Sequence, residues 1–145
     1  MDRRSFVITV MSSLTVGRAT AKQPRLITPR YAYAAARSGS MLLIDIRTPR
    51  EWCETDIATV AHPLDMRARH FRRKLLALAD GQHNRSVGLI CASGVRSGAL
   101  ADTLRKTGWP NVADVQGGMS GSWWYDGWLD QGLPVQKFCY LADKV

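Results

Sequence analysis

Short, mostly apolar runs alternate along this chain with longer stretches in which apolar residues return every third or fourth position. The runs Met41–Ile46, Val87–Ile90 and Val112–Val115 are too short for helices and, apart from Asp45 and Asp114, apolar on both sides, the pattern of strands buried on both faces. His62 to Asp65 adds a shorter strand candidate. Between them lie helix-like segments with their own start and stop residues. Thr28-Pro29 opens one through Tyr31–Ala36, with threonine as N-cap and proline at the first helical position, and Ser38-Gly39 stops it. Thr48-Pro49-Arg50-Glu51 has the threonine and glutamate spacing of a capping box before a short helix through Trp52. Ala68 to Ala79 carries Phe71, Leu75, Leu76 and Leu78 on one face and ends near Asp80-Gly81; Ser97 to Thr107 carries Leu100, Ala101 and Leu104 and ends at Gly108. The alternation predicts an α/β fold with a mostly parallel central sheet of about five strands and helices on both faces. After Gly117-Gly118-Met119 the chain enters a tryptophan-rich tail, Trp123 to Trp128, closed by Gly132-Leu133-Pro134.

At 145 residues, 46% of them hydrophobic and 22% charged, the chain suits one compact domain with a real core. Three cysteines and three histidines without paired spacing imply neither a disulfide framework nor a metal site, and no cofactor is called for. The net charge of +8 raises the question of an anionic partner. Arg67, Arg69, Arg72, Arg73 and Lys74 surround an apolar helical stripe, so they read as its solvated face, and with no aromatic interleaving there no nucleic-acid partner is expected. Other basic residues belong to the first residues, where Arg3-Arg4-Ser5-Phe6 precedes the apolar Val7–Val16 and then Ala19-Thr20-Ala21. This is the order of an export signal of twin-arginine or general secretory type, cleaved after Ala21, too short to span a membrane. The expectation is a signal peptide over 1–21, one domain over 22–145 with no membrane span, and a periplasmic or secreted location, or a cytoplasmic one if the signal is not used.

Candidate chemistry concentrates in Cys91-Ala92-Ser93-Gly94-Val95-Arg96-Ser97, which follows the strand Val87–Ile90. A cysteine between a strand and a helix N-terminus lies where backbone N–H groups converge, and these favour a thiolate and any anion beside it. Gly94 lets the loop curl, Arg96 adds a fixed positive charge, and Ser97 is expected to cap the helix that begins with it. The spacing alone balances evenly against a buried structural cysteine.

The flanking pattern breaks that balance. Leu43-Ile44-Asp45-Ile46-Arg47-Thr48-Pro49, with Glu51-Trp52, then Cys91-x4-Arg96-Ser97, Gly117-Gly118-Met119 and Gly132-Leu133-Pro134, resembles the rhodanese family of sulfurtransferases in family order, from about Leu26 to Val135. The resemblance implies that Cys91 takes the outer sulfur of a small donor such as thiosulfate, holds it as a persulfide in the loop 92–97, and passes it to a thiol or cyanide acceptor or to a protein acceptor. A non-catalytic carrier or partner-binding module on the same fold is the alternative. Related phosphatases have one more residue between cysteine and arginine, so the four found here favour sulfur over phosphate or arsenate. Asp45, Arg47 and Glu51 are expected to be structural, since buried opposite charges pair and Glu51 already has a capping role. Trp123, Trp124 and Trp128 are expected to pack the core and a lid. Two departures stand out. Thr55 to Val60 replaces the usual Gly-His-Ile-Pro-Gly-Ala, so a changed turn and site wall are expected. Ala92 stands where many thiosulfate-using members carry a cation. Cys53 and Cys139 are expected to be unpaired, the alternatives being a bond between them in an oxidising compartment or one of them resolving a Cys91 persulfide.

Overall fold

The computed structural model describes residues 23–139; the expected signal peptide lies outside them. Five parallel strands form the central sheet: β1 (Leu26–Ile27), β2 (Leu42–Asp45), β4 (Ala61–Pro63), β5 (Val87–Ile90) and β6 (Val112–Val115), in the order β1-β6-β5-β2-β4. A separate antiparallel pair joins β3 (Ile57–Ala58) to β7 (Val135–Gln136). Four helices connect the strands: α1 (Pro29–Arg37), α2 (Pro49–Thr55), α3 (Phe71–Leu78) and α4 (Val95–Lys106). The α/β class, the five-stranded parallel sheet and helices on both faces match the expectation.

Each central strand is buried along its whole length because side chains of both parities meet a helix layer. On one face Leu42, Ile44, Val87 and Leu89 pack with Leu75 of α3 and Leu104 of α4. On the other, Leu43, Ile90 and Ala113 pack with Ala32 and Ala35 of α1 and with Trp128 from the tail. From the adjacent centre strands the chain departs in opposite directions, β2 towards β4 and β5 towards β6. The crevice beyond their carboxyl ends is where open parallel sheets bind ligands, and Cys91 follows β5 there.

Local chemistry fixes the elements. Thr28 Oγ1 accepts from Tyr31 N–H at 3.2 Å, and the capping box of α2 closes with Thr48 Oγ1 accepting from Glu51 N–H at 3.2 Å and Glu51 Oε2 accepting from Thr48 N–H at 3.0 Å. Other boundaries differ from the apolar pattern. α3 begins at Phe71, not Ala68, because Asp65 holds the preceding turn through Arg67 and His70 takes a left-handed φ of 61°. The strand expected over 62–65 lies at Ala61–Pro63, where it pairs with β2. Trp128 is core, whereas Trp123 and Trp124 are 92% and 81% exposed and pack into neither core nor lid.

The expectation for Cys53 and Cys139 is also overturned: they form a disulfide with a Cα–Cα distance of 5.0 Å, tying α2 to the segment after β7 across 86 residues. Trp52 and Phe138 stack edge to face beside it, ring centroids 4.9 Å apart. No sequence spacing could reveal this pairing, since the topology alone brings the two segments together. Opening so long a loop costs about 2–4 kcal/mol. Cys53→Ser is therefore expected to lower the urea midpoint, and reductant to lower that of the wild type to the same value. Equal midpoints with and without reductant would contradict the structural role.

Candidate active site

β5 carries Cys91 to the top of the sheet, where the residue is 1% exposed. The loop's base is clamped from behind. Cys91 C=O accepts from Met119 N–H and Ala92 C=O from Ser120 N–H, both at 2.8 Å. This close approach needs glycine at Gly118: φ is 57°, and a Cβ there would lie 2.7 Å from the Ala92 carbonyl carbon. The chain then turns over its own sulfur. Gly94, at φ 95°, caps α4 and donates its N–H to Cys91 Sγ at 3.1 Å; Ser97 Oγ donates at 3.1 Å and Ser97 N–H points to Sγ at 3.5 Å.

Ser97 is thus neither the first residue of α4 nor its cap. The helix starts two residues earlier at Val95, which turns the fully buried Ser97 hydroxyl inward onto the sulfur. The remaining loop residues, Ala92, Ser93, Gly94, Val95 and Arg96, lie together around Cys91 in sequence and space, with Val95 exposed.

Two ion pairs border the loop. Asp45 and Arg47 are fully buried and paired at 2.8 Å. Arg47 Nη2 also donates to Asp56 C=O at 2.6 Å, and Nη1 donates to the Thr55 hydroxyl. The departure at Thr55-Asp56 is therefore built into the turn: Thr55 supplies an acceptor to Arg47, and Asp56 makes the bend at φ 59°. Neither Asp45 nor Arg47 has a hydrogen bond to the cysteine sulfur.

Glu51 has a second task beyond capping. Its carboxylate grips Arg96 with both oxygens, Nη1 to Oε2 at 3.1 Å and Nη2 to Oε1. The capping box of α2 thereby holds the arginine of the cysteine loop. The Arg96 hydrogen bond is the main reason that the Glu51 carboxyl falls from 4.5 to about 2, with Thr48 adding to it against the cost of burial. Because the folded-state value lies below the unfolded one, the pair's contribution is complete above about pH 4.5 and is lost as pH falls through about 2. With both side chains partly exposed, at 26% and 37%, screening limits it to about 1 kcal/mol. Urea unfolding of Glu51→Gln is expected to show a shallower loss of stability than wild type between pH 4.5 and pH 2. Parallel curves would contradict the coupling.

The apolar pattern did not single out Asp114, which sits in β6 beside the loop, 9% exposed, with burial raising its carboxyl above the usual range. A lone carboxylate inside the run Val112–Val115 was the available cue.

The rhodanese-like domain family matches residues 28–124, from the cap of α1 to the exposed tryptophans, with the cysteine loop inside the match. The chain belongs to the rhodanese-like domain family. Solved structures with similar architecture agree. A rhodanese-related protein from Thermoplasma volcanium is 25% identical, with 79% of this chain and all of that chain covered and a TM-score of 0.59. A 30 kDa polysulfide-sulfur transferase homodimer from Wolinella succinogenes is 24% identical, with 80% of each chain covered and a TM-score of 0.56. A Rhodopseudomonas palustris protein of unknown function, described as a possible tyrosine phosphatase, is 22% identical, covers 79% of this chain and 84% of its own, and has a TM-score of 0.56. In this rhodanese-like domain β5, the cysteine loop and α4 all fall inside the matched residues, the Glu51–Arg96 pair holds the loop from α2, and the Asp45–Arg47 pair fixes the turn after α2.

Proposed function

We propose that this rhodanese-like protein is a sulfurtransferase that stores a sulfane sulfur on Cys91. The observation carrying this reading is the convergence of Gly94 N–H, Ser97 N–H and Ser97 Oγ on one buried sulfur at a helix N-terminus. Such a cradle holds an anion that is larger than the thiol itself. The Cys91 thiolate attacks the outer sulfur of the donor; with thiosulfate, the S–S bond breaks and sulfite departs with the bonding electrons. The outer sulfur of the resulting persulfide sits among the loop donors. An acceptor thiolate or cyanide then attacks it, and the electron pair returns to Cys91 as thiolate. Sulfur changes hands twice and no external oxidant is needed.

Glu51 and Ala92 bear on the donor. Arg96 is already held by a carboxylate, and Ala92 adds no charge. These features favour a persulfide or polysulfide donor over thiosulfate, in line with the activity named for the Wolinella protein. They equally suit a carrier that takes sulfur only from a protein partner. The disulfide and the N-terminal signal pattern support an exported location, since disulfides persist in oxidising compartments.

The test is the intact mass of the purified chain after incubation with thiosulfate, polysulfide or a small persulfide. A gain of one sulfur supports the enzyme, and a gain only on mixing with a partner protein supports the carrier. No gain under any condition, with Cys91-dependent hydrolysis of an aryl phosphate instead, would replace sulfur transfer with phosphatase chemistry.

A further inference from the structure

On the flank of the cysteine loop, walled in part by Ser93, Gly94 and Val95 of that loop, lies a cavity of about 200 Å³. Its inner end is formed by the buried Asp114 and Gly117, and its outer end by the exposed Val95, Trp124 and Tyr125. Gly94 is the wall it shares with the candidate site: one side of this residue donates N–H to Cys91 Sγ, and a Cβ built on its Cα would lie 3.8 Å from Asp114 Oδ2. Cys91 itself does not line the cavity.

Asp114 is the unusual group. It is nine-tenths buried, yet its Oδ1 has no hydrogen-bond partner. Oδ2 tucks beneath the first turn of α4, where a Cβ at Gly98 would meet it at 3.4 Å. Two groups of α4 favour its charged form, the Ser97 hydroxyl and then Arg105, yet neither bonds Oδ1: Ser97 Oγ is 3.1 Å from Cys91 Sγ, and Arg105 is engaged with Asp102 and with the Val112 carbonyl. A buried carboxylate oxygen with no hydrogen-bond partner is costly unless something supplies one, and a cation does so best. Meanwhile Trp124 and Tyr125 line a chain-surface cavity with aromatic rings although Trp124 is 81% exposed. A carboxylate at depth and aromatic faces at the mouth form a pairing that selects cations with an apolar body. The volume is below that of drug-sized pockets, so the ligand is small or is the tip of a side chain.

We propose that this cavity is a binding site for an alkylammonium group, which pairs with Asp114 and runs its apolar stem past Trp124 and Tyr125. An ammonium there lies against the back of Gly94, next to the residues that cradle Cys91. The proposal is independent of whether Cys91 transfers sulfur. Its source is either a free amine or a lysine side chain of a partner protein.

The experiment is a titration of the full chain followed by amide NMR shifts, with three probes of similar shape: phenethylammonium, the neutral phenethyl alcohol and the anionic 3-phenylpropionate. The ammonium is expected to move the amides of Ser93, Gly94, Val95 and Gly117 saturably, with the alcohol at least about tenfold weaker and the carboxylate weaker still. Asp114→Asn keeps the shape of the side chain and is expected to weaken the ammonium by about tenfold while leaving the alcohol unchanged. Trp124→Ala, at an exposed position, is expected to weaken both cation and alcohol, and Cys91→Ser neither. Tighter binding of N-acetyl-lysine methylamide than of phenethylammonium supports the site with a protein as the ammonium's source; the reverse order supports it with a free amine. Equal affinity for ammonium and alcohol, undiminished ammonium binding in folded Asp114→Asn, or shifts confined to other parts of the molecule would overturn the proposal.

Discussion

Cys91→Ser is expected to leave a folded protein that gains no sulfur in mass from any donor and transfers none to cyanide or thiol above the uncatalysed background. The serine oxygen occupies nearly the place of Sγ, and Gly94 N–H and the Ser97 hydroxyl retain an acceptor at the loop centre. The clamp from Met119 and Ser120 acts on backbone carbonyls and is untouched. What disappears is the nucleophile: a hydroxyl is not ionised at neutral pH without an adjacent base, and hydrogen-bond donors surround this one. Loss of a covalent nucleophile removes several orders of magnitude in rate, far more than the loss of any one supporting hydrogen bond. Unfolding curves should overlay those of the wild type within about 1 kcal/mol, which separates lost chemistry from lost structure. A Cys91→Ser protein that still takes up one sulfur would move the persulfide to another group and remove the basis of the proposed function.

The largest effect on stability is expected at Arg47. Arg47→Leu leaves the Asp45 carboxylate fully buried with its partner gone, and it strips donors from Thr55 Oγ1 and the Asp56 carbonyl at the turn. Breaking a buried pair from one side costs about 3–5 kcal/mol, a large share of the roughly 5–15 kcal/mol that holds a domain folded. The double change Asp45→Leu with Arg47→Leu removes the stranded charge along with its partner, so it should recover part of the loss. Urea unfolding of both variants checks this. A single variant within about 1 kcal/mol of wild type, or a double variant less stable than the single, would show that the pair does not bear on stability in this way.

Much of this architecture was legible because buried parallel strands have few ways to hide. Val87–Ile90 and Val112–Val115 agree with the sequence pattern to the residue, each followed within a few residues by polar or glycine positions that end the strand. Thr28 and Thr48 announced their helices through side chains that act within a few residues. The misses have the opposite character. The Cys53–Cys139 bond, the Glu51–Arg96 grip and the Met119 clamp join residues far apart in the chain, and local spacing holds no record of them. Ser97 lies two residues inside α4 for a local reason: Gly94 in a left-handed conformation starts the helix without a polar side chain to mark it, and the next hydroxyl is that of Ser97. Trp123 and Trp124 depart from the rule that aromatic bulk means core: both face outward, and Trp124 lines a cavity.

The clamp behind the cysteine loop also limits how this chemistry could be engineered. Two hydrogen bonds at 2.8 Å from Met119 and Ser120 hold the carbonyls of Cys91 and Ala92, and Gly118 is what lets the two strands of chain touch. A designer who grafted only Cys91 through Ser97 onto another strand, loop and helix would copy the donors and lose the anvil they are bent against. The smallest transplantable unit is two strand ends side by side, β5 with its loop and β6 with the turn after it, so the functional motif is spatial and a contiguous peptide cannot reproduce it.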